Sequence, residues 1–109
     1  MKQSSHRVID RINAAQDRVI ASKLRRDSRV LVRARRNLRR WMAADGRSVR
    51  PVFREWDLVL RRLARFELVA FLSSNTPMAR RLRQSTPFTG VLSDRERLAI
   101  RQAHEEAGA

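Results

Sequence analysis

Apolar residues recur through the first 45 positions at helical intervals. At about 100° per residue, Ile20, Leu24, Leu31, Ala34, Leu38, Trp41 and Met42 fall within one stripe about 100° wide. Ile9, Ile12 and Val19 continue it upstream with a slight drift. Ser4 or Ser5 suits the start of this helix, no Gly or Pro interrupts it, and Asp45-Gly46 supplies a stop. Asp27 stands inside the stripe where an apolar residue belongs, which makes Asp27-Ser28 the expected break. An unbroken helix from Ser5 to Ala44 would be about 60 Å long, against a radius of gyration of about 13 Å for a compact chain of this size. The stretch therefore either bends near Asp27 or projects and packs against a second copy. Leu24, Leu31 and Leu38 are a strict seven apart, the spacing of a dimer seam.

Beyond Gly46 the pattern shortens. Pro51 suits the first turn of a helix carrying Val52, Trp56, Val59, Leu60 and Leu63. A further apolar group, Phe66, Leu68, Val69, Phe71 and Leu72, belongs to the same helix or to a second one bent near Ala64 to Phe66. Thr76-Pro77 caps and starts a short helix with Met78 and Leu82 on one side. Ser85 to Gly90 reads as a loop. Ser93 and Glu96 form a capping box for a last helix anchored by Leu98, with Ala99, Ile100 and Ala103 beside it. No segment alternates as a strand does. The expected fold is all-α, a small helical bundle in a single domain. A long basic helix, continuous or interrupted at Asp27, fills 1–45, and a compact part of three or four shorter helices fills 46–109.

Charge changes this picture most. The 109 residues hold 25 Lys+Arg against 11 Asp+Glu, a formal net charge of +14. Solubility alone asks for a magnitude of roughly 2 to 8. An excess this large repels itself, and an anionic partner relieves the repulsion. The excess sits mainly in the first helix, where Lys23 to Arg40 hold nine basic residues and one acid. On the helical wheel Arg7, Arg11, Arg18, Arg25, Arg29, Arg33, Arg36 and Arg40 cluster opposite the apolar stripe. A guanidinium matches phosphate with a planar fork of donors. Such a ridge can follow a nucleic-acid backbone, with affinity from counterion release and little sequence information. A merely solvated face mixes signs, and this one has no acid between Asp27 and Asp45. A basic amphipathic helix can also lie on an anionic membrane, but here the apolar side is needed for the core.

A second basic group, Arg80, Arg81 and Arg83, follows a tight polar turn after an apolar helix. That is the outline of a helix-turn-helix, whose second helix reads base edges in the major groove. The turn lacks Gly, and Arg80 falls where an apolar packing residue is expected. Phe88, in a Pro- and Gly-bounded loop, is a candidate for an exposed contact. Trp41 and Trp56 lie at helical spacing beside Leu38 and Val59 and belong to the core.

Other chemistry is sparse. With no Cys and two separated His, the chain offers no disulfide, thiolate or zinc-ligand pattern. It has no Gly-rich phosphate loop and no convergent catalytic set. The longest uncharged stretch, Leu68 to Ala79, is 12 residues, short of the roughly 20 apolar residues of a membrane span. The N-terminus has no secretory apolar core. The expectation is a non-enzymatic protein without cofactor or metal, in the cytoplasm or on the nucleoid. It would bind nucleic acid, DNA before RNA, as a regulator or architectural factor. The residues are Arg18, Arg25, Arg29, Arg33, Arg36, Arg40, Arg80, Arg81 and Arg83, with Phe88 as a loop contact and a homodimer through Leu24, Leu31 and Leu38. The alternative is an antitoxin-like or other adaptor subunit whose basic helix docks on an acidic protein.

Overall fold

A computed structural model describes residues 2–108, and side chains within 7–106. The described residues form six helices and no strand: α1 (Lys2–Arg26), α2 (Arg29–Asp45), α3 (Pro51–Arg62), α4 (Arg65–Leu72), α5 (Pro77–Arg83) and α6 (Asp94–Gly108). This is the all-α bundle that the apolar spacing implies.

The long basic stretch breaks at Asp27-Ser28, and the carboxylate of Asp27 supplies the reason. Its Oδ1 accepts the backbone N–H of Arg29 at 3.0 Å, so that donor leaves the α1 ladder. The Asp27 carbonyl then accepts from Val30 at 3.2 Å and starts a new turn. The break converts a rod into two packed helices, giving principal extents of 45 × 31 × 25 Å. α1 is described from Lys2, so the backbone of Ser4 and Ser5 lies inside the helix. α2 ends as expected, with Gly46 at φ +64, a backbone that residues with a Cβ rarely adopt.

The second apolar stretch is also two helices. Leu63 and Ala64 are extended, with ψ 132 and 160. No Gly or Pro enforces this. Glu67 does, by accepting the Ala64 N–H at 2.8 Å from the N3 position of α4. α5 starts on Thr76, whose Oγ1 accepts from Ala79 N at 3.2 Å. α6 starts on the reciprocal Ser93–Glu96 box, at 2.9 and 3.1 Å.

The core joins all six helices and the loop before α6. Leu24, Trp56, Leu68, Leu72, Leu82 and Phe88 are its most enclosed side chains. Trp56 donates its indole N–H to the Leu82 carbonyl at 2.7 Å and meets Phe71 and Phe88 edge-on. Leu24 and Leu38 are buried in this core and Leu31 packs against it. A dimer seam through these leucines would have to unpack the protein's own interior; their seven-residue spacing serves intramolecular packing. Two further expectations shift. Leu98 is 53% exposed, and α6 docks on α1 through Ile100 instead. Met78 is exposed, and Ala79 takes its place beside Leu82 in the core.

Side-chain bonds at the end of α4 tie it to α1. Arg83 bonds Asp17 of α1 and also the Phe71 and Ser74 carbonyls at the end of α4. Arg65, at the start of α4, lies close enough to Asp27 to help lower its carboxyl pKa. Arg83 thereby holds the end of α4 beside the middle of α1, against which the helix packs.

Candidate functional site

Arg29, Arg33, Arg36 and Arg40 project from one arc of α2, about 60° wide, because steps of four, three and four nearly close whole turns. All four are exposed. With Lys23 and Arg26 from the end of α1 they line a hollow of about 900 Å3, whose other walls include Val30, Val32, Asn37 and Val91. Asp27 is its one acid.

Asn37 fixes the far wall. Its buried amide donates to the Pro87 carbonyl at 2.9 Å and the Thr89 carbonyl at 3.0 Å, which pins the loop before α6 onto α2. Its Oδ1 accepts from Arg40 at 3.0 Å. Gly90 passes under Arg33 with φ +83, and a Cβ there would lie 3.1 Å from the guanidinium. The positive φ is what favours glycine here; for a Cβ, the exposed end of Arg33 would have to give by only a few tenths of an ångström.

The cations of the hollow are not equally available. Lys23 bonds Glu96 at 2.7 Å and the Val91 carbonyl at 3.2 Å, tying α1 to the start of α6. That bond, with the Ser93 N–H, holds the Glu96 carboxyl down at about 2. Arg29 forks onto Asp27 at 3.0 and 3.1 Å while staying highly exposed, and its hydrogen bonds lower the Asp27 carboxyl. Arg26 bonds only the Ser22 carbonyl and Arg40 only Asn37. Arg26, Arg33, Arg36 and Arg40 have no acid partner among the described residues.

The ridge drawn on a single wheel is thus divided. Arg18 and Arg25 are exposed on α1 but outside the hollow. Arg18 borders the α1–α6 seam, with Ala15, Ile100 and His104. The turn at Asp27 separates these two from the α2 arginines and brings in Lys23 and Arg26 from the end of α1.

The second basic group is mostly engaged. Arg83 is nearly enclosed, its Nε 2.9 Å from Asp17 Oδ2. Burial pushes the Asp17 carboxyl up to about 6, with the charge and hydrogen bond of Arg83 opposing that rise. Arg81 forks onto Glu55 at 2.7 and 3.2 Å on the surface. Of the three, Arg80 alone is exposed without an acid partner among the described residues. α5 is clamped to α1 and α3, which is the arrangement of a packing helix.

Phe88 is a correction. It is 1% exposed and packs on Trp56, with ring centroids 6.2 Å apart. The Asn37 tether folds the loop inward, and Pro87 is buried with the ring. Sequence reasoning also missed Asn37 itself. A lone amide beside Leu38, on the margin of the apolar stripe, was the signal. No group of three or more His, Asp or Glu able to hold a metal occurs among the described residues. No helix among them is long and apolar enough to cross a membrane. Compared with protein-family models, curated proteins and solved structures, the chain matches none.

Proposed function

We propose that this chain is a small nucleic-acid-binding protein that holds a phosphate backbone in the hollow beside α2. The observation that carries the reading is the convergence of Arg26, Arg29, Arg33, Arg36 and Arg40 on one concave surface with a single acid in it. Guanidinium groups at these spacings offer successive phosphates bidentate donors, and the local field raises anion concentration before contact. Regulation or architecture of DNA is the role this binding serves. The test is binding to mixed-sequence nucleic acid across salt. Each phosphate contacted contributes about 0.9 of a log unit of affinity per log unit of salt on a duplex, so four or five contacts give a slope near −4. A flat response, or no binding at low salt, defeats the proposal.

A second reading has its own observation. Val32 is 52% exposed and, with Val30, lies among the arginines of the hollow. An acidic helix with an apolar edge would use both. In that case an acidic amphipathic peptide binds more tightly than an oligonucleotide of equal charge, and a Val32→Ser change weakens the peptide only.

A further inference from the structure

We propose that the cleft between α1 and α5 binds a small nucleotide, a nucleoside monophosphate whose base carries an exocyclic amino group. This cleft shares no lining residue with the α2 hollow, and the proposal does not rest on the function assigned to that hollow.

The cleft has a volume of about 520 Å3, and small-molecule sites span about 300 to 1,000 Å3. One wall is a face of α1. Asp10, Asn13 and Asp17 follow one another at steps of three and four and so share a side of the helix. The facing wall is the end of α5, with Arg80, Arg83 and Gln84. Asp17 and Arg83 are the enclosed members, their side chains 12% and 10% exposed.

Asp17 is short of donors. Arg83 reaches its Oδ2 at 2.9 Å and is the one hydrogen-bond partner of this carboxyl among the described residues. Burial outweighs that partner and leaves the carboxyl raised to about 6. An N–H from a ligand in the cleft supplies the bond that is missing. A cationic donor is disfavoured there, because Arg11, Arg80 and Arg83 line the same cleft. A neutral donor fits, and the exocyclic amino group of a base is one that carboxylates accept from. Asn13 and Gln84 line the cleft with exposed carboxamides, each a donor and an acceptor for the rest of the base edge. Arg11 and Arg80 are exposed without an acid partner among the described residues, and they suit a phosphate. Asp10 and Asp17 offset part of this charge, which favours one phosphate over a polyphosphate or a strand.

The experiment is calorimetric titration of the full-length protein with cytidine, adenosine and uridine monophosphates and with inorganic phosphate. Uridine monophosphate presents a carbonyl where the cytidine compound has its amino group. The tighter of the cytidine and adenosine compounds should exceed it by about 5- to 150-fold, the discrimination of one good base-edge pair, and inorganic phosphate should bind more weakly than any of the three. Asp17→Asn should shrink the preference for the amino-bearing base. Arg80→Ala, at an exposed position without an acid partner, should fold as the parent does and weaken the nucleotide about 10-fold while leaving the nucleoside unchanged. Thermal unfolding checks both variants. No binding at millimolar nucleotide, equal affinity for all three bases, or inorganic phosphate binding as tightly as a nucleotide overturns the proposal. So does nucleotide binding that survives both variants and disappears when the four α2 arginines are changed to Glu, since the ligand then occupies the hollow. None of these results bears on whether the hollow holds a nucleic-acid backbone, which the salt titration decides separately.

Discussion

The arginines of α2 and those of α5 look alike in the sequence and are put to different uses by the fold. In α2, three of the four on the ridge have no acid partner among the described residues, and all four are exposed. In α5, Arg83 is enclosed with Asp17 and Arg81 is forked onto Glu55. The difference lies in what each helix meets. The ridge of α2 faces a hollow. α5 lies between α1 and α3, each of which presents a carboxylate. A count of basic residues therefore overstates the surface offered to an anion, and a cluster has to be discounted by the acids that reach it.

The contrast is broken most severely by reversing the α2 ridge. Arg29, Arg33, Arg36 and Arg40 changed together to Glu should abolish nucleic-acid binding in a polarisation assay, with little change in the unfolding midpoint. Retained affinity would move the binding surface elsewhere. The opposite behaviour is expected of Arg83→Ala. It strands the buried Asp17 and should cost about 3–5 kcal/mol of stability in denaturant titration, with binding retained at temperatures where the variant is folded. A variant as stable as the parent would show that the enclosed pair is not a clamp.

Asn37→Ala comes next. It leaves the Pro87 and Thr89 carbonyls without their donor and should cost about 1–3 kcal/mol. It also frees one wall of the hollow, so binding and stability should fall together, unlike either arginine change. Proteolysis within residues 85–93 should become faster, and an unchanged cleavage rate would argue against the tether.

The last contrast is in pH. Asp17 has a folded pKa raised to about 6 from the ordinary 3.8. The folded state therefore holds this proton more tightly than the unfolded chain. Its contribution to stability is fully present below 3.8 and is lost as pH rises through about 6. Glu96 has the opposite sign, lowered from 4.5 to about 2, so its contribution is present above 4.5 and lost as pH falls through about 2. Asp17→Asn should remove the decline between about pH 4 and 6, and Glu96→Gln should leave that decline untouched. A decline that persists in Asp17→Asn assigns the titration to another group.

The helix boundaries were legible in sequence wherever a local device sets them. Pro51, Thr76-Pro77, Ser93 with Glu96, Asp45-Gly46 and the misplaced Asp27 all act within a few residues. The Leu63–Ala64 break was only half legible, because Glu67 caps it without the usual hydroxyl partner at the N-cap. The candidate site was legible as a helix face but not as a hollow. Its far wall is brought to α2 by Asn37 across 50 residues of chain, and wheel geometry has no access to that. The same distance hides the fate of Arg83, which lies 66 positions from Asp17 in the sequence. Phe88 and Leu98 exchanged places for this reason as well. A local pattern can mark an apolar residue, but only tertiary packing decides whether it is covered.

The docking of α6 on α1 has a consequence for how the chain is made. Of the six helices α1 is made before the others, and it finds its main packing surfaces in α4 and in α6, the last of the six. Until that last segment is free, the stripe carrying Ile12, Val19 and Ile20 has incomplete cover. Contacts this distant in sequence slow folding and lengthen the interval of exposure. During that interval the like charge of the arginines around the stripe sets neighbouring copies against one another and opposes their joining through it.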